Sequence, residues 1–384
     1  MPVVAEQYAR VVGVDTHART HTYVTIDAIT GRVIGEATFP TSPPGIRRAI
    51  AWMTRNGQGE VLAAIEGTNT YGATLVAALR TAGIALTEVH PPKRAERTRG
   101  KSDAIDAEAA ARTALAQEVG LLIVPREGKM RSALRVLLMS RRSMDTRRTA
   151  DRNALTALLR SIDLGIDARR PLTARQISVI AGWRARPTDD IELHYARVEA
   201  TRLARDSLQL TAALRHNRDQ LQELDAALAP GLLERWGVGP ITAAVFLTAW
   251  SHPGRIRSEA VFASLAGAAP IPASSGNTIR YRLNRQGDRQ LNRALDVVAK
   301  SRLATHAETR AYAKRRLVEG KSDAEIRRIL KRYIARQIHR ELTSIFSLAP
   351  TISDHAGGVT ALRPVPPCSS SAPSSLWWIS VTAL

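Results

Sequence analysis

Three short segments follow one another within residues 10–39: ARVVGVD, HTYVTID and RVIGEATF. Their Val, Ile, Thr and Tyr content, and the polar turns between them (the last at Ile29-Thr30-Gly31), predict three consecutive strands in an antiparallel meander. From there the pattern alternates. Thr41-Ser42-Pro43-Pro44 opens an amphipathic helix over GIRRAIAWMTR, VLAAIE (61–66) is a buried strand, and a helix follows from about Tyr71 to Thr81. IALTEV (84–89) is a further strand, and after the loop at 90–102 a helix starts near Asp103. A meander that gives way to strand–helix alternation admits few solutions. The expected one is a mixed sheet covered by helices.

The rest of the chain reads as helical. Residues 129–162 are helical and basic, and Gly165, Pro171, Gly182 and Pro187 mark 163–190 as a hinge. Residues 191–228 form a long helical arm with Leu203, Leu208, Leu210, Leu214, Leu221 and Leu224 among charges, able to pair with a partner helix as a coiled coil. Pro230-Gly231 ends it, and residues 232–345 are mostly helical apart from a Gly/Pro/Ser loop at 266–278. The tail 346–384 has Asp354 and Arg363 as its only charged residues and no periodicity, which predicts disorder. The fold class is therefore α/β plus α, with expected domains at 8–125, 126–230 and 231–345 before the tail.

Charge decides the kind of partner. The 384 residues carry 55 Lys and Arg against 35 Asp and Glu, a net charge of +20. Residues 251–340 hold 20 basic and 7 acidic residues, 129–160 hold nine and two, and Lys93–Lys101 adds a third basic run. Such runs favour a polyanion bound through its phosphates. With 17 aromatic residues in all, the chain lacks the bulky apolar anchors of a membrane-surface helix and has no extensive platform for stacking bases. One cysteine, Cys368, excludes an internal disulfide framework and a Cys-based zinc site. Neither a spanning apolar run nor a signal peptide is recognisable, so a cytoplasmic location is expected.

Four carboxylates stand in telling places. Asp15 ends the first strand, Glu66 ends VLAAIE, and Asp103 and Asp106 lie three apart in KSDAIDAEAA, on one face of a helix. Taken singly, Asp15 could be a turn residue and Asp103 a helix N-cap. Taken together, two strand ends and one helix face can converge on a point, and facing carboxylates stay ionised only with a cation between them. Oxygen ligands of this kind suit Mg²⁺ or Mn²⁺, as in sites that clamp both oxygens of a phosphodiester.

The C-terminal region carries two further motifs. Gly237-Val238-Gly239-Pro240 leads into a helix and resembles the turn of helix-hairpin-helix modules, whose backbone N–H groups meet DNA phosphates without reading sequence. Ser274-Ser275-Gly276 lies on the Gly/Pro loop and is followed by Arg280, Arg282, Arg285 and Arg289, which could hold a phosphate. Serine needs activation to act as a nucleophile, and no local base accompanies it, so on these residues alone Ser275 reads as a turn residue.

The order GVD, IEG, KSDAID, GVGPITAA, AGAAP, SSG and RQGDRQLNRAL resembles the DEDD transposases of bacterial insertion sequences, the family named after insertion sequence 110, over about residues 10–345. The resemblance implies an N-terminal RNase H-like, RuvC-type domain in which Asp15, Glu66, Asp103 and Asp106 bind divalent metal. It implies that Ser275, with Ser274 as an adjacent competitor, attacks DNA and forms a phosphoserine link. It further implies a composite site shared between protomers of a dimer or tetramer, assembly through the coiled-coil arm, and a structured guide RNA that selects double-stranded DNA targets by base pairing. Activation of the serine would then come from the metal site across an interface. Where the family usually has Lys before its Gly-Asn/Asp turn and Leu-Arg after it, this chain has Arg285 and Leu291-Asn292.

Two rival classes are weaker. GVDTHARTHTYVTID also resembles the phosphate-binding hairpin of actin-like ATPases and sugar kinases, but no second Gly-rich phosphate loop follows. A two-metal nuclease or resolvase without serine chemistry, or an inactive DNA-binding copy, would keep only part of the constellation.

Overall fold

The computed structural model describes residues 2–55, 59–90, 102–274, 278, 281–285 and 287–348. The basic run Lys93–Lys101, Ser275, Arg280 and the tail from 349 onward lie outside the described residues. After a short helix α1 (Val4–Gln7), strands β1 (Arg10–Thr16), β2 (Thr20–Asp27) and β3 (Val33–Pro40) form the expected meander. Helix α2 (Pro43–Thr54), β4 (Val61–Ile65), α3 (Ala73–Thr81), β5 (Ala85–Glu88) and α4 (Asp103–Leu115) follow. The five strands make one mixed sheet of order β3-β2-β1-β4-β5, in which β1 pairs antiparallel with β2 and parallel with β4, and β4 parallel with β5.

Strand β1 is buried throughout because helices cover both faces. The two-residue alternation of the pleat divides it. Val12 and Val14 join Ala63 and Ile65 in a core under α2 and α3, whereas Val11, with Leu62 and Ala64, packs toward α1 and α4. Gly13 and Asp15 share the parity of Val11, so the α4 side is also Asp15's side. Helix α4 comes very close to that face through Ala107, Ala110, Ala111 and Ala114, all buried. A Cβ on Gly13 would overlap the Ala107 carbonyl oxygen and lie 2.7 Å from the Ala111 nitrogen. We expect Gly13→Ala to cost about 3 kcal/mol by forcing the two backbones apart, read as a lower urea midpoint with unchanged slope.

Helices α5 (Lys129–Ser161) and α7 (Ile191–Leu228) form the largest helical feature. They run antiparallel: Arg141 Nη1 donates to the Leu214 carbonyl at 2.9 Å and Asn217 Nδ2 to that of Leu137 at 3.1 Å. Within the chain α7 therefore packs against α5, a long-range pairing that an irregular heptad does not reveal. At 1.5 Å per residue α7 is about 57 Å long. The segment 163–190, read as a hinge, instead holds α6 (Ala174–Ala181), with a Thr173–Gln176 capping box. Its Ile177 and Ile180 pack with Leu155, Leu159, Ala200 and Leu203 at the distal end of the arm.

The opposite ends of α5 and α7 enter the C-terminal core. Leu134 and Leu221 pack there with residues of α8 (Pro230–Leu233), α9 (Pro240–Trp250), α10 (Glu259–Leu265), α11 (Arg289–Thr305) and α13 (Asp323–Leu348). Helix α12 (Ala307–Val318) packs against α11, and a two-stranded ribbon pairs β6 (Ile271–Pro272) with β7 (Tyr281–Arg282). The sheet docks onto this helical part through a buried Arg255–Glu88 ion pair at 3.0 Å and through Arg257, which donates to the Gly120 and Leu121 carbonyls at 2.8 Å each. No helix among the described residues is long and apolar enough to cross a membrane.

Candidate functional site

The parallel register of β1 and β4 brings two of the sequence-predicted acidic residues to neighbouring backbone positions. Val14 pairs with Ile65, so Asp15 and Glu66 are the next residues on adjacent strands. The Glu66 N–H donates to the Val14 carbonyl at 3.2 Å, and Thr16 Oγ1 donates to the Glu66 carbonyl at 3.0 Å. Gly67 turns the chain away with φ +64°, a conformation that a side chain would strain. One carboxylate oxygen of Glu66 is fully buried.

Asp103 and Asp106 arrive from α4. Ser102 is the N-cap, its hydroxyl accepting from the Ile105 N–H at 3.3 Å, so Asp103 is the first helical residue and its side chain is not the cap. Asp106 lies nearly one turn further on, and both carboxylates complement the positive end of the helix dipole.

His17, just past the end of β1, links the two elements. Its Nε2 is 3.0 Å from Asp15 Oδ2 and 3.3 Å from Asp103 Oδ1. Ligand atoms of Asp15, His17 and Asp103 all lie within 4.8 Å of one another. Asp15 is only 8% exposed. Burial raises its carboxyl above the ordinary range; His17 opposes the shift, and the nearby Asp103 and Asp106 charges add to it. His21, opposite Thr16 on β2, is fully buried, and burial lowers its imidazole pKa below the ordinary value. The His17 N–H donates to His21 Nδ1 at 3.3 Å, which places the ring proton on Nε2. Sequence reasoning missed His17; the signal was Asp-Thr-His at a strand end, a spacing with no periodicity to flag it.

Gly237 and Gly239 have local roles in the turn before α9. Gly237 takes φ +80° and approaches α11, where a Cβ would lie 3.2 Å from the Val298 carbonyl oxygen. The Gly239 N–H is engaged by Thr242 Oγ1 at 3.0 Å, and Pro240 carries no N–H. Arg282, Arg285 and Arg289 are exposed, and the first two line one pocket of about 440 Å³ with Ile271 and Leu283. Ser274 is exposed two residues after β6. Asn292, which stands where the family usually has Arg, is a bracket: its Nδ2 donates to the Ala266 carbonyl at 2.6 Å, and its Oδ1 accepts from Lys331 Nζ at 3.0 Å.

Two family models match the chain. One, described as Transposase and built on the DEDD transposases of the IS110 type, covers residues 12–163, and the other, described as Transposase IS116/IS110/IS902 family, covers residues 231–314. No curated protein gives a significant match. The first match contains Asp15, His17, Glu66, Asp103 and Asp106, the second contains the C-terminal serine and arginine motifs, and together they span well over half of the sequence. The chain belongs to the IS110-family DEDD transposases and is a DNA transposase, an enzyme of DNA strand cleavage and transfer.

Proposed function

We propose that this transposase excises and inserts an insertion element by cutting and rejoining double-stranded DNA through a phosphoserine intermediate on Ser275. The observation that carries this reading is the meeting of Asp15 and Asp103 around His17, at the end of the central strand and the start of α4. The strand order β3-β2-β1-β4-β5 supports an RNase H-like, RuvC-type reading of residues 8–125.

The donor set fits a hard divalent cation: a buried carboxyl with further carboxylates close by, and an imidazole within reach. Asp15, Glu66, Asp103 and Asp106 would hold Mg²⁺ or Mn²⁺. Such an ion supplies charge stabilisation to phosphodiester oxygens as they gain electrons. In the cutting step the Ser275 Oγ–P bond forms, one ester P–O bond to deoxyribose breaks, and the serine proton passes to the departing oxygen, leaving a free hydroxyl. Rejoining reverses the step with the hydroxyl of the new partner strand, so the phosphodiester bond energy is conserved. Arg282, Arg285 and Arg289 would counter the phosphate charge. A structured guide RNA from the element would select target and donor by pairing, and a homodimer or homotetramer would join the serine of one protomer to the carboxylates of another.

Covalent trapping tests the reading. Wild type, Ser274→Ala, Ser275→Ala and Asp15→Ala would be incubated with element RNA, junction DNA and Mg²⁺ and run on a denaturing gel. A protein–DNA adduct is expected with wild type and Ser274→Ala and absent from the other two. Cleavage that survives Ser275→Ala without an adduct would replace the serine step with metal-assisted hydrolysis.

A further inference from the structure

A cleft of about 770 Å³ opens in the C-terminal domain between residues 267–270, the segment 281–285 and one face of α13. Its floor is preformed. A Cβ on Gly287 would overlap the Gly267 nitrogen, so the two backbones cross in contact, and Asn284 Nδ2 donates to the Ser264 carbonyl at 3.1 Å. Six Lys and Arg side chains line the cleft against one carboxylate, Glu325. Arg328, Arg332 and Arg336 recur every fourth residue along α13, a stripe about 12 Å long.

These cations are not spent on structure alone. Arg336 pairs with Glu259 at 2.8 Å and Arg332 Nη1 donates to the Glu259 carbonyl at 3.2 Å, which fixes the inner end of the stripe. Arg285 and Arg328 are exposed and have no hydrogen bond or ion pair among the described residues. Lys331, half-buried, is committed to Asn292 Oδ1 at 3.0 Å and to Asp296 at 4.0 Å; burial pulls it below the usual ammonium range, Asp296 opposes that, and the Arg327, Arg328 and Lys300 charges reinforce it. Positive charge is concentrated here beyond what the protein neutralises.

Two aromatic residues line the same cleft: Tyr281 on β7, 65% exposed, and Tyr333 on α13, 48% exposed, with one edge of its ring against Tyr312. Between them the wall at Gly267, Ala268, Ala269 and Pro270 carries no long side chain. Cations tracking a backbone beside exposed rings are what an unpaired strand uses, since its bases are free to stack. A duplex would meet the cations while its bases stay stacked inside, leaving both rings unused. We propose that this cleft binds an unpaired polynucleotide strand, with phosphates along Arg285 and Arg328 and bases on Tyr281 and Tyr333.

The site is read without catalysis, so its failure and the failure of the serine mechanism are separable. Full-length wild type, Tyr281→Ala/Tyr333→Ala, Tyr281→Phe/Tyr333→Phe and Arg285→Ala/Arg328→Ala would be titrated with fluorescent 12-mers of single-stranded DNA, single-stranded RNA and duplex DNA. Melting curves would verify folding. The alanine pair of tyrosine variants is expected to weaken single-strand binding about 10-fold or more, with the phenylalanine pair near wild type and duplex binding within about twofold. The arginine pair is expected to lower the single-strand salt slope by about 1.4. Photo-crosslinking with 5-iodouracil oligonucleotides is expected to label Tyr281 or Tyr333. A larger effect on DNA than on RNA would identify product or target strands as the occupant, and the reverse would identify the guide. Unchanged single-strand affinity in both alanine pairs, equal losses for duplex and single strand, or crosslinks confined to other residues would overturn the proposal.

Discussion

Asp15→Asn is expected to reduce DNA strand cleavage about 1000-fold or more while leaving the protein folded. The substitution keeps the shape of a side chain that is 8% exposed at the end of the central strand and removes only its charge. An amide oxygen is a much weaker ligand for a divalent cation. Several kcal/mol of charge stabilisation at a phosphodiester corresponds to about three or more decades of rate. Stability should hold or rise slightly, because burial above all, and then the Asp103 and Asp106 charges, disfavour the Asp15 charge. The paired measurement is single-turnover cleavage in Mg²⁺ together with calorimetric titration of Mn²⁺. Cleavage within tenfold of wild type would remove Asp15 from the metal site.

The second large effect concerns stability. Asp225 lies on α7 where the arm enters the C-terminal core; it is 0% exposed, and neither carboxylate oxygen has a hydrogen-bond partner among the described residues. Burial pushes its pKa up to about 8 from the ordinary 3.8. A carboxyl whose folded pKa is raised destabilises the fold in its charged form. The penalty is absent below about pH 4, grows as pH rises toward 8 and then levels off, reaching on the order of 5 kcal/mol at about 1.4 kcal/mol per pH unit. Asp225→Ala should therefore be the more stable protein at pH 8 by several kcal/mol, and the difference should shrink steadily as pH falls to 5. Urea midpoints of the two proteins at both pH values check this. Parallel pH dependences would mean that water or a partner satisfies the carboxylate.

Local signals explain what could be read in advance. The meander and the strand ends near Asp15 and Glu66 follow from β-branched runs, and the helix start near Asp103 from its local sequence, although the cap is Ser102 and not Asp103. His17 had no such signature, since a lone histidine beyond a strand acquires meaning only when α4 arrives about ninety residues later in the chain. The α5–α7 pairing failed to show for the same reason: the leucine pattern states that α7 buries a face but not that the covering helix precedes it. The Gly and Pro residues of 163–190 read as a hinge because they punctuate the segment, yet its Ile and Leu side chains find a core in the arm itself. In the cationic cleft, α13 and the β-ribbon are far apart in sequence, so charge counting located the region without its shape.

The helical arm contains two separate hydrophobic cores, with Ser207, Leu210, Leu214 and Asn217 buried along the shaft between them. One core lies at the root, shared with the C-terminal domain, and the other at the tip, where α6 closes over the ends of α5 and α7. In between, the two helices are tied by polar contacts such as Arg141 to the Leu214 carbonyl. In folding terms these are separate cooperative units on one pair of helices. The amides of the tip and those of the root are expected to exchange hydrogen with solvent at two distinct opening free energies, measurable by native-state hydrogen exchange.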